Sequence, residues 1–451
     1  MATSVRQFNV ELYREHLEEA SFLYEQRRAY LHDPEINWPD LDAWEERLEA
    51  HLDALVVGGG LALEVCRQQA AEGDAGEMHA ALCVFCRQDR KEDAFAVLKT
   101  LDPSDEEKVG AASWALRCEI PTGWRDDLLQ LFQGDQANLT DIVARVIGYR
   151  RFPYEEALIH ALAAKPAFGI ADLAWALGRV GSAKSVPVLS PLLDSDDGRI
   201  CEAAAIALLR LGDDRATKRA VLAAPEHPWA RRVLGIGGGP RSVRVLLDLL
   251  EGHGADVDTV LALGLLGDLA AIAPLLQLLE DDGVSAPAAV ALNTITGAAL
   301  HADVFVPDEV DPDELSDEER EAYERDGTLP TRGGQPYGSW QRGPLRDKAG
   351  WRVWLEENKQ RFSRDLRWRM GQPYNPSALF ECLRCETSPY AVRSASHEEL
   401  VARYGLDVPF EVELPVTQQA RFLKEIEHWA ATQAGSFTCG RWWLGGRLQP
   451  E

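Results

Sequence analysis

The feature that most constrains this fold is a short apolar motif that recurs about every thirty residues. It combines alanine and leucine with a following glycine or leucine, and it begins at Ala176, Ala207 and Ala262. The glycines that mark its phase lie 25 to 31 residues apart and are Gly181, Gly212, Gly237, Gly267 and Gly297. A period of this length is typical of stacked helical hairpins, none of which can bury its apolar face alone. We therefore predict an all-α fold, an α-solenoid of about eight hairpins between residues 77 and 296.

The composition of each repeat indicates how its two helices meet. Small residues in the first helix allow a neighbouring helix to approach closely. Glycine at the turn is expected to adopt the left-handed conformation that ends this helix. Pro187 and Pro274 stand early in the second helix, where a missing backbone donor costs little.

The periodicity divides the chain into four segments. Residues 1–76 contain two amphipathic helices, the second stopped by Gly58-Gly59-Gly60, and form an N-terminal cap. Residues 77–300 form the solenoid. Residues 301–345 are an acidic, glycine- and proline-containing insertion or linker, and residues 346–451 are a mainly helical module rich in tryptophan and arginine.

The C-terminal module is predicted to be appended to the solenoid. Ser396-His397-Glu398-Glu399 has the pattern of a helix start, with acidic residues in the first turn. The tryptophans and arginines between residues 340 and 369 resemble a nucleic-acid surface in composition, but Trp351 and Trp354 follow helical spacing. We therefore favour docking of these arginines within the protein, or on another protein.

The charge of the chain limits its partners. A formal net charge of −26 and a pI near 4.8 argue against binding to a phosphate backbone and favour a basic protein. No apolar run approaches the roughly 18 residues of a membrane span, and the first ten residues lack the pattern of a secretory signal. The sequence thus predicts a cytoplasmic protein with reduced cysteines.

No catalytic, cofactor-binding or metal-binding site emerges from the sequence. Two cysteine pairs have zinc-like spacing, Cys83 with Cys86 and Cys382 with Cys385, but neither has a second pair nearby. Metal binding by the second pair is left open. The only His-Glu dipeptide is His397-Glu398, and it lies outside the repeats.

Acidic residues recur at the ends of the repeat units and in the insertion, and they are the predicted contacts to a basic partner. They are Asp194, Asp196, Asp197, Asp213, Asp214, Glu280, Asp281, Asp282, Asp311, Asp313 and Glu314. For each of them, a solvated loop residue is the competing interpretation.

The stretch from Ala176 to Leu189 contains Ala-Leu-Gly-x-x-Gly followed by a small residue and Val-Pro-x-Leu. It resembles the HEAT-like repeats of the phycobilisome-lyase type. This resemblance implies a solenoid but no single activity, because the wider class includes chromophore lyases, metal-dependent hydroxylases and pure scaffolds.

A second resemblance rests on the runs His16 to Tyr24 and Glu46 to Leu55, the repeats that follow, and a terminal helix at Gln418-Gln419. Together they resemble an uncharacterised bacterial HEAT-like family whose genes are often found beside type VI secretion components. This resemblance implies a role near secretion effectors, as an immunity protein, an adaptor or a chaperone.

The leading hypothesis is a non-enzymatic protein-binding scaffold, an immunity protein that binds and neutralises a type VI secretion effector. Two alternatives remain open at this point. One is an adaptor or chaperone that holds an effector for secretion, and the other is a lyase-type enzyme of the HEAT-like class.

Overall fold

The computed structural model of the protein describes residues 4–133, 139–307, 310, 315–328, 331–332 and 335–450. Helices form most of this part of the chain, and its strands pair into two-stranded antiparallel sheets. The predicted all-α solenoid is thereby confirmed. No helix among the described residues combines the length and the apolar character that a membrane span requires.

Three helices form the N-terminal cap: α1 (Val5–His32), α2 (Asp42–Val57) and α3 (Gly59–Glu72). The second ends at the glycine triplet, as predicted. A Cβ atom at Gly58 would lie 2.6 Å from the ring of Tyr13 on α1. Glycine at this position therefore allows α1 and α2 to approach closely.

The repeats follow as pairs of helices. The first helices pack on one another in succession and form an inner layer: α4 (Ala75–Arg87), α6 (Glu106–Glu119), α8 (Thr140–Arg150), α10 (Ile170–Val180), α12 (Gly198–Arg210), α14 (Pro228–Gly237), α16 (Val257–Leu266) and α18 (Ser285–Thr296). The second helices are α5 (Lys91–Thr100), α7 (Arg125–Gln133), α9 (Glu155–Ala163), α11 (Val186–Leu189), α13 (Arg215–Ala223), α15 (Pro240–His253) and α17 (Ile272–Leu278). The inner layer thus contains the predicted number of units.

The turn glycines allow the first helices of the repeats to end in two different ways. Gly212, Gly267 and Gly297 adopt the predicted left-handed conformation, with φ of 73°, 69° and 62°. Gly181 has φ of −79°, and a Cβ there would lie 2.2 Å from the carbonyl oxygen of Leu177. The prediction of a left-handed turn is therefore wrong for Gly181, where glycine supplies clearance for the end of α10. It is also wrong for Gly237, which is the last residue of α14 and has no positive φ.

After α18 a strand replaces the expected second helix. β1 (His301–Pro307) pairs antiparallel with β4 (Gly338–Pro344), and this excursion also contains α19 (Asp317–Asp326), β2 (Thr331–Arg332) and β3 (Gln335–Pro336). The break predicted after Gly297 is confirmed. The predicted contacts Asp311, Asp313 and Glu314 lie outside the described residues.

The C-terminal module is mainly helical, and its central helix begins earlier than predicted. Ser396 and Glu399 lie buried in the middle of α22, because the chain enters this helix directly after Pro389. The prediction of a helix start at Ser396 is therefore wrong. The elements of the module are α20 (Lys348–Asn358), β5 (Trp368–Arg369), β6 (Gln372–Pro373), α21 (Pro376–Arg384), α22 (Tyr390–Tyr404), α23 (Val416–Gln433), β7 (Trp443–Leu444) and β8 (Arg447–Leu448).

Buried arginines attach this module to the ends of the inner helices. Arg367 Nε donates to the carbonyl of Leu266 at 2.7 Å, and Arg369 Nη2 donates to that of Leu265 at 2.6 Å. Arg403 donates to the carbonyl that follows α14 at 3.1 Å. The carboxyl ends of helices carry partial negative charge and unpaired carbonyls, so they suit buried guanidiniums. Docking within the protein is confirmed for Arg367 and Arg369.

The module also contacts the N-terminal cap. Arg27 on α1 pairs with Glu45 on α2 at 2.7 Å and donates to the carbonyl of Glu413 at 2.8 Å. Glu45 in turn accepts from the backbone N–H of Val416 at 2.7 Å. The module therefore bridges the two ends of the array and folds back across the inner layer, instead of extending the solenoid as an appendage.

Candidate functional site

The acidic residues predicted from the repeat turns lie on two opposite edges of the array. Asp194, Asp196 and Asp197 lie in the turn before α12 and Glu280, Asp281 and Asp282 in the turn before α18, whereas Asp213 and Asp214 lie in the turn after α12. Because a whole helix separates these two kinds of turn, the structure does not bring the residues together on one surface.

Local partners occupy several of these side chains. The ion pairs are Asp194 with Arg219 at 2.7 Å, Asp213 with Arg215 at 3.1 Å, Asp214 with Lys218 at 2.6 Å, and Glu280 with Lys348 at 2.5 Å. Asp281 accepts from the backbone N–H of Gly283, and Asp197 caps α12 by accepting from that of Arg199 at 2.8 Å. As contacts to a partner, these residues stay predictions.

A cavity of about 1000 Å³ lies between the inner layer and the C-terminal module. Helices α6, α8, α10, α12, α14 and α16 form its walls, and α22 with residues 411–413 forms its floor. Each wall helix contributes residues at a spacing of three or four, such as Trp175 and Arg179 on α10 or Arg232 and Ile236 on α14. Among the described predicted contacts, Asp197 alone lines this cavity.

The lining of the cavity is mixed apolar and charged, with an excess of negative charge. Ile200, Ile206 and Leu261 contribute apolar surface. The carboxylates belong to Glu106, Asp141, Asp172, Asp197, Glu202, Asp258, Glu398, Glu411 and Glu413, and the guanidiniums to Arg117, Arg145, Arg179, Arg199 and Arg232. Nine carboxylates against five guanidiniums leave four negative charges in excess.

Ion pairs connect successive wall helices. Arg145 on α8 pairs with Asp172 on α10. Arg232 on α14 contacts Glu202 on α12 at 2.5 Å and Asp258 on α16 at 3.0 Å. Since these pairs join neighbouring repeats at the cavity surface, they fix the positions of the walls as well as supplying charge.

At the floor, arginines of the repeats meet glutamates of the C-terminal module. Arg179 contacts both oxygens of Glu411, with Nε–Oε1 and Nη2–Oε2 distances of 2.6 and 2.8 Å, and reaches Glu398 at 3.1 Å. Arg210 contacts the other oxygen of Glu398 at 2.9 Å. Burial alone would raise the pKa of Glu411, but the guanidinium of Arg179 holds this pKa well below its ordinary value. These pairs therefore stay ionised at neutral pH.

His397, Glu398 and Glu411 form the one group of three potential metal ligands among the described residues, with ligand atoms within 4.8 Å of one another. Burial lowers the pKa of His397 to about 4, and its Nε2 has no hydrogen-bond partner. However, all four oxygens of the two carboxylates accept N–H groups from Arg179 or Arg210. A divalent cation would have to displace these guanidiniums and lie beside their charges. The group is therefore an arginine-neutralised cluster and does not fit a metal ion.

The cysteine pair left open by the sequence shows no ligand set either. Cys382 is buried 3.9 Å from Arg369 Nη1, and Cys385 lies 3.4 Å from the hydroxyl of Thr387. Within the described part of the chain, neither thiol belongs to a group of three potential ligands.

Asp141 differs from the other carboxylates of the cavity. It lies in the first turn of α8, and its Oδ1 accepts from the backbone N–H of Ile142 at 2.9 Å. Among the described residues it makes no ion pair, whereas the other lining carboxylates form ion pairs with arginines. Burial, with a smaller contribution from Asp172, raises the pKa of Asp141 to about 6.

Sequence reasoning missed the residues that build this site. Glu398 and Glu411 lie far from the repeats in sequence, so repeat periodicity carries no information on them. One available signal was an arginine at the end of several first helices, as at Arg117, Arg179 and Arg210, each close to one period from a neighbouring copy. A cation recurring on one buried face requires anions from elsewhere in the chain.

Comparison with known proteins supports the repeat assignment. The PBS lyase HEAT-like repeat family matches residues 258–281, which span α16, α17 and the turn after them. No curated protein matches the chain. The chain therefore contains a HEAT-like repeat within an α-solenoid, and repeats of this kind commonly mediate protein interactions.

Proposed function

We propose that this protein is a non-enzymatic scaffold that binds a basic partner protein by receiving a positively charged segment of it in the cavity. The observation that carries the proposal is the lining of that cavity, where nine carboxylates face five guanidiniums. The excess negative charge favours a cationic occupant over a nucleotide or another anion.

The size and the surface of the cavity favour a polypeptide segment. About 1000 Å³ is at the upper end of the range for ligand pockets. Apolar side chains such as Ile200, Ile206 and Leu261 alternate with the charged ones along the walls. An extended segment that carries both apolar and basic side chains matches such a lining, because each kind of group meets its complement.

Long-range electrostatics support the same kind of partner. A net charge of −26 attracts a cationic protein from a distance and accelerates its association. Rim pairs such as Arg199 with Glu106, 3.8 Å apart, are exposed and weak, so they offer little resistance to an entering charged segment.

In the setting implied by the resemblance to a family found near type VI secretion genes, the partner is a secretion effector and the protein is its immunity protein. Neutralisation would follow from occlusion, since a segment held in the cavity is withheld from the effector's own target. The repeat walls and the module floor would then act as one rigid receptor.

The test is co-expression of the protein with candidate effectors in a sensitive cell, with and without a variant that fills the cavity. Ala203→Trp places a large ring at the cavity wall, whereas Ala431→Trp is a matched change on the exposed face of α23. We expect the wild type and Ala431→Trp to rescue growth and to form a stoichiometric complex with the effector, and Ala203→Trp to do neither.

The same experiment separates the alternatives. Complex formation without rescue would contradict the immunity role and favour an adaptor or chaperone. Rescue that survives Ala203→Trp in a correctly folded variant would show that the cavity is not the binding site. Turnover of a partner by the purified protein would contradict the non-enzymatic proposal.

A further inference from the structure

We propose that Asp141 is the position in the cavity that receives a lysine or arginine side chain of the bound segment. This inference rests on the proposed function and specifies which group of the partner is recognised, and where. It concerns a single carboxylate that the ion-pair network of the cavity leaves available.

The other carboxylates of the lining have arginines close by. Arg145 pairs with Asp172, and Arg232 contacts both Glu202 and Asp258. The remaining contacts are Arg179 and Arg210 with Glu398, Arg179 with Glu411, Arg117 with Glu413, and Arg199 with Glu106 and Asp197. Asp141 makes no ion pair among the described residues, and Arg145 acts on it only from a distance, so its carboxylate is open to a cation that enters the cavity.

Asp141 lines the cavity beside the loop that carries an exposed apolar ring. The loop that precedes α10 lies directly against it: a Cβ at Gly169 would be 2.7 Å from the backbone nitrogen of Asp141. Phe168 in the same loop lines the cavity and is 42% exposed. A long basic side chain needs a carboxylate for its charged end and an apolar surface for its methylene groups. Because both residues line the cavity and the loop of Phe168 lies against the backbone of Asp141, we infer that one basic side chain reaches both.

The cavity already shows how it holds guanidinium groups. Arg145 and Arg179 lie over the ring of Trp175, with centroid distances of 4.6 and 3.7 Å. Both also pair with carboxylates. In contrast, no described arginine or lysine covers Phe168. An incoming side chain would repeat at Phe168 and Asp141 the combination of ring and carboxylate that the protein itself uses at Trp175.

A metal ion is a poorer occupant of this position. The described residues around Asp141 do not form a group of three potential ligands, and Asp172, which acts on Asp141 electrostatically, is held by Arg145. A side-chain cation needs only one carboxylate and fits the single free charge.

The test is calorimetric titration of the full-length protein at pH 7.5 and 150 mM salt with an N-acetylated, C-amidated hexa-arginine peptide. Hexa-citrulline is the uncharged control ligand. We expect hexa-arginine to bind and hexa-citrulline not to bind. Asp141→Asn should weaken the binding of hexa-arginine about tenfold, which corresponds to about 1.4 kcal/mol of binding free energy. Asp248→Asn, which removes the same charge from the exposed face of α15 outside the cavity, should change the affinity less than twofold.

Three outcomes would overturn the inference. Equal effects of Asp141→Asn and Asp248→Asn would mean that only the overall charge matters. If Ala203→Trp abolishes peptide binding while Asp141→Asn leaves it unchanged, the cavity function stands and the role of Asp141 falls. If free spermine binds with the same dependence on Asp141 and displaces the peptide, the position recognises a polyamine and not a polypeptide side chain. Binding of hexa-arginine that is unchanged by both Asp141→Asn and Ala203→Trp would contradict the proposed function itself.

Discussion

Gly178 on α10 packs so closely against Ala207 on α12 that a Cβ atom at position 178 would lie 2.7 Å from the Cα of Ala207. Real Cβ atoms essentially never approach so closely, so glycine is required by the distance between the helices. The same relationship recurs along the inner layer, with Gly148 against Ala176 at 3.0 Å, Gly235 against Ala262 at 3.0 Å and Gly264 against Ala291 at 2.8 Å. The recurring motif in the sequence therefore reflects these close glycine–alanine contacts between successive inner helices, which together form the packing seam of the inner layer.

Gly264→Ala is expected to destabilise the protein by about 1 to 3 kcal/mol, because the added methyl group has to separate α16 from α18. Gly110→Ala is the matched control, since it lies inside α6 and a Cβ there would meet nothing within 4 Å. That change should be neutral or stabilise by up to about 1 kcal/mol. Urea unfolding followed by circular dichroism measures both. Equal effects of the two substitutions would show that the seam does not require glycine.

Glu411→Ala is expected to lower the free energy of unfolding by about 3 kcal/mol. The substitution leaves Arg179, whose side chain is 3% exposed, with only part of its negative partner. Glu156→Ala is the control, because its pair with Lys184 is 74% and 70% exposed and should contribute less than about 1 kcal/mol. Chemical denaturation of the three proteins checks the difference. A small effect at Glu411 would mean that the module is not held to the repeats by this pair.

The repeat array could be predicted from the sequence because its information is local. Each glycine of the seam contacts an alanine about one period away, as with Gly264 and Ala291, so the spacing that packs the helices also appears in the printed sequence. The glycine triplet that ends α2 and the break after Gly297 are equally local signals.

The contacts that join the C-terminal module to the repeats and to the N-terminal cap could not be predicted in this way. Arg179 and Glu411 are 232 residues apart, and Arg27 and Glu413 are 386 apart. Neither separation is related to the repeat. The arginines of the repeats recur with the period, but their partners in the C-terminal module do not. The acidic turns recur in the sequence, and in the structure several of their residues cap helices or form local ion pairs, as at Asp197 and Asp194. Contacts to a partner at these turns stay a prediction.

The stability of the protein is expected to fall in acid through the floor pairs. Glu398, Glu411 and Glu413 have pKa values held below the ordinary 4.5, because neighbouring arginines outweigh the effect of burial. Their stabilising contribution is complete above about pH 4.5 and is lost as the pH falls through the lowered folded-state values. Urea unfolding of the wild type from pH 6 down to pH 3 should show this decline. Glu411→Ala should decline less steeply; an identical slope would exclude Glu411 as a contributor.

Asp141 should show the opposite pH dependence. Its pKa is raised from 3.8 to about 6, with burial as the main cause, Asp172 adding to it and Arg145 opposing it. The folded state therefore holds this proton more tightly than the unfolded state, and ionisation of Asp141 costs stability as the pH rises from about 4 to 6. Asp141→Asn removes the cost and should stabilise the protein at pH 7 by on the order of 1 kcal/mol, since the side chain is only partly buried. At pH 3.5 the gain should vanish, because both states of the wild type are then mostly protonated at this residue. Asp248→Asn, which removes a carboxylate from the exposed face of α15, should give no such pH-dependent gain in the same urea titrations. If the stability of Asp141→Asn relative to wild type is lower at pH 7 than at pH 3.5, the assignment of a free carboxylate at position 141 is contradicted.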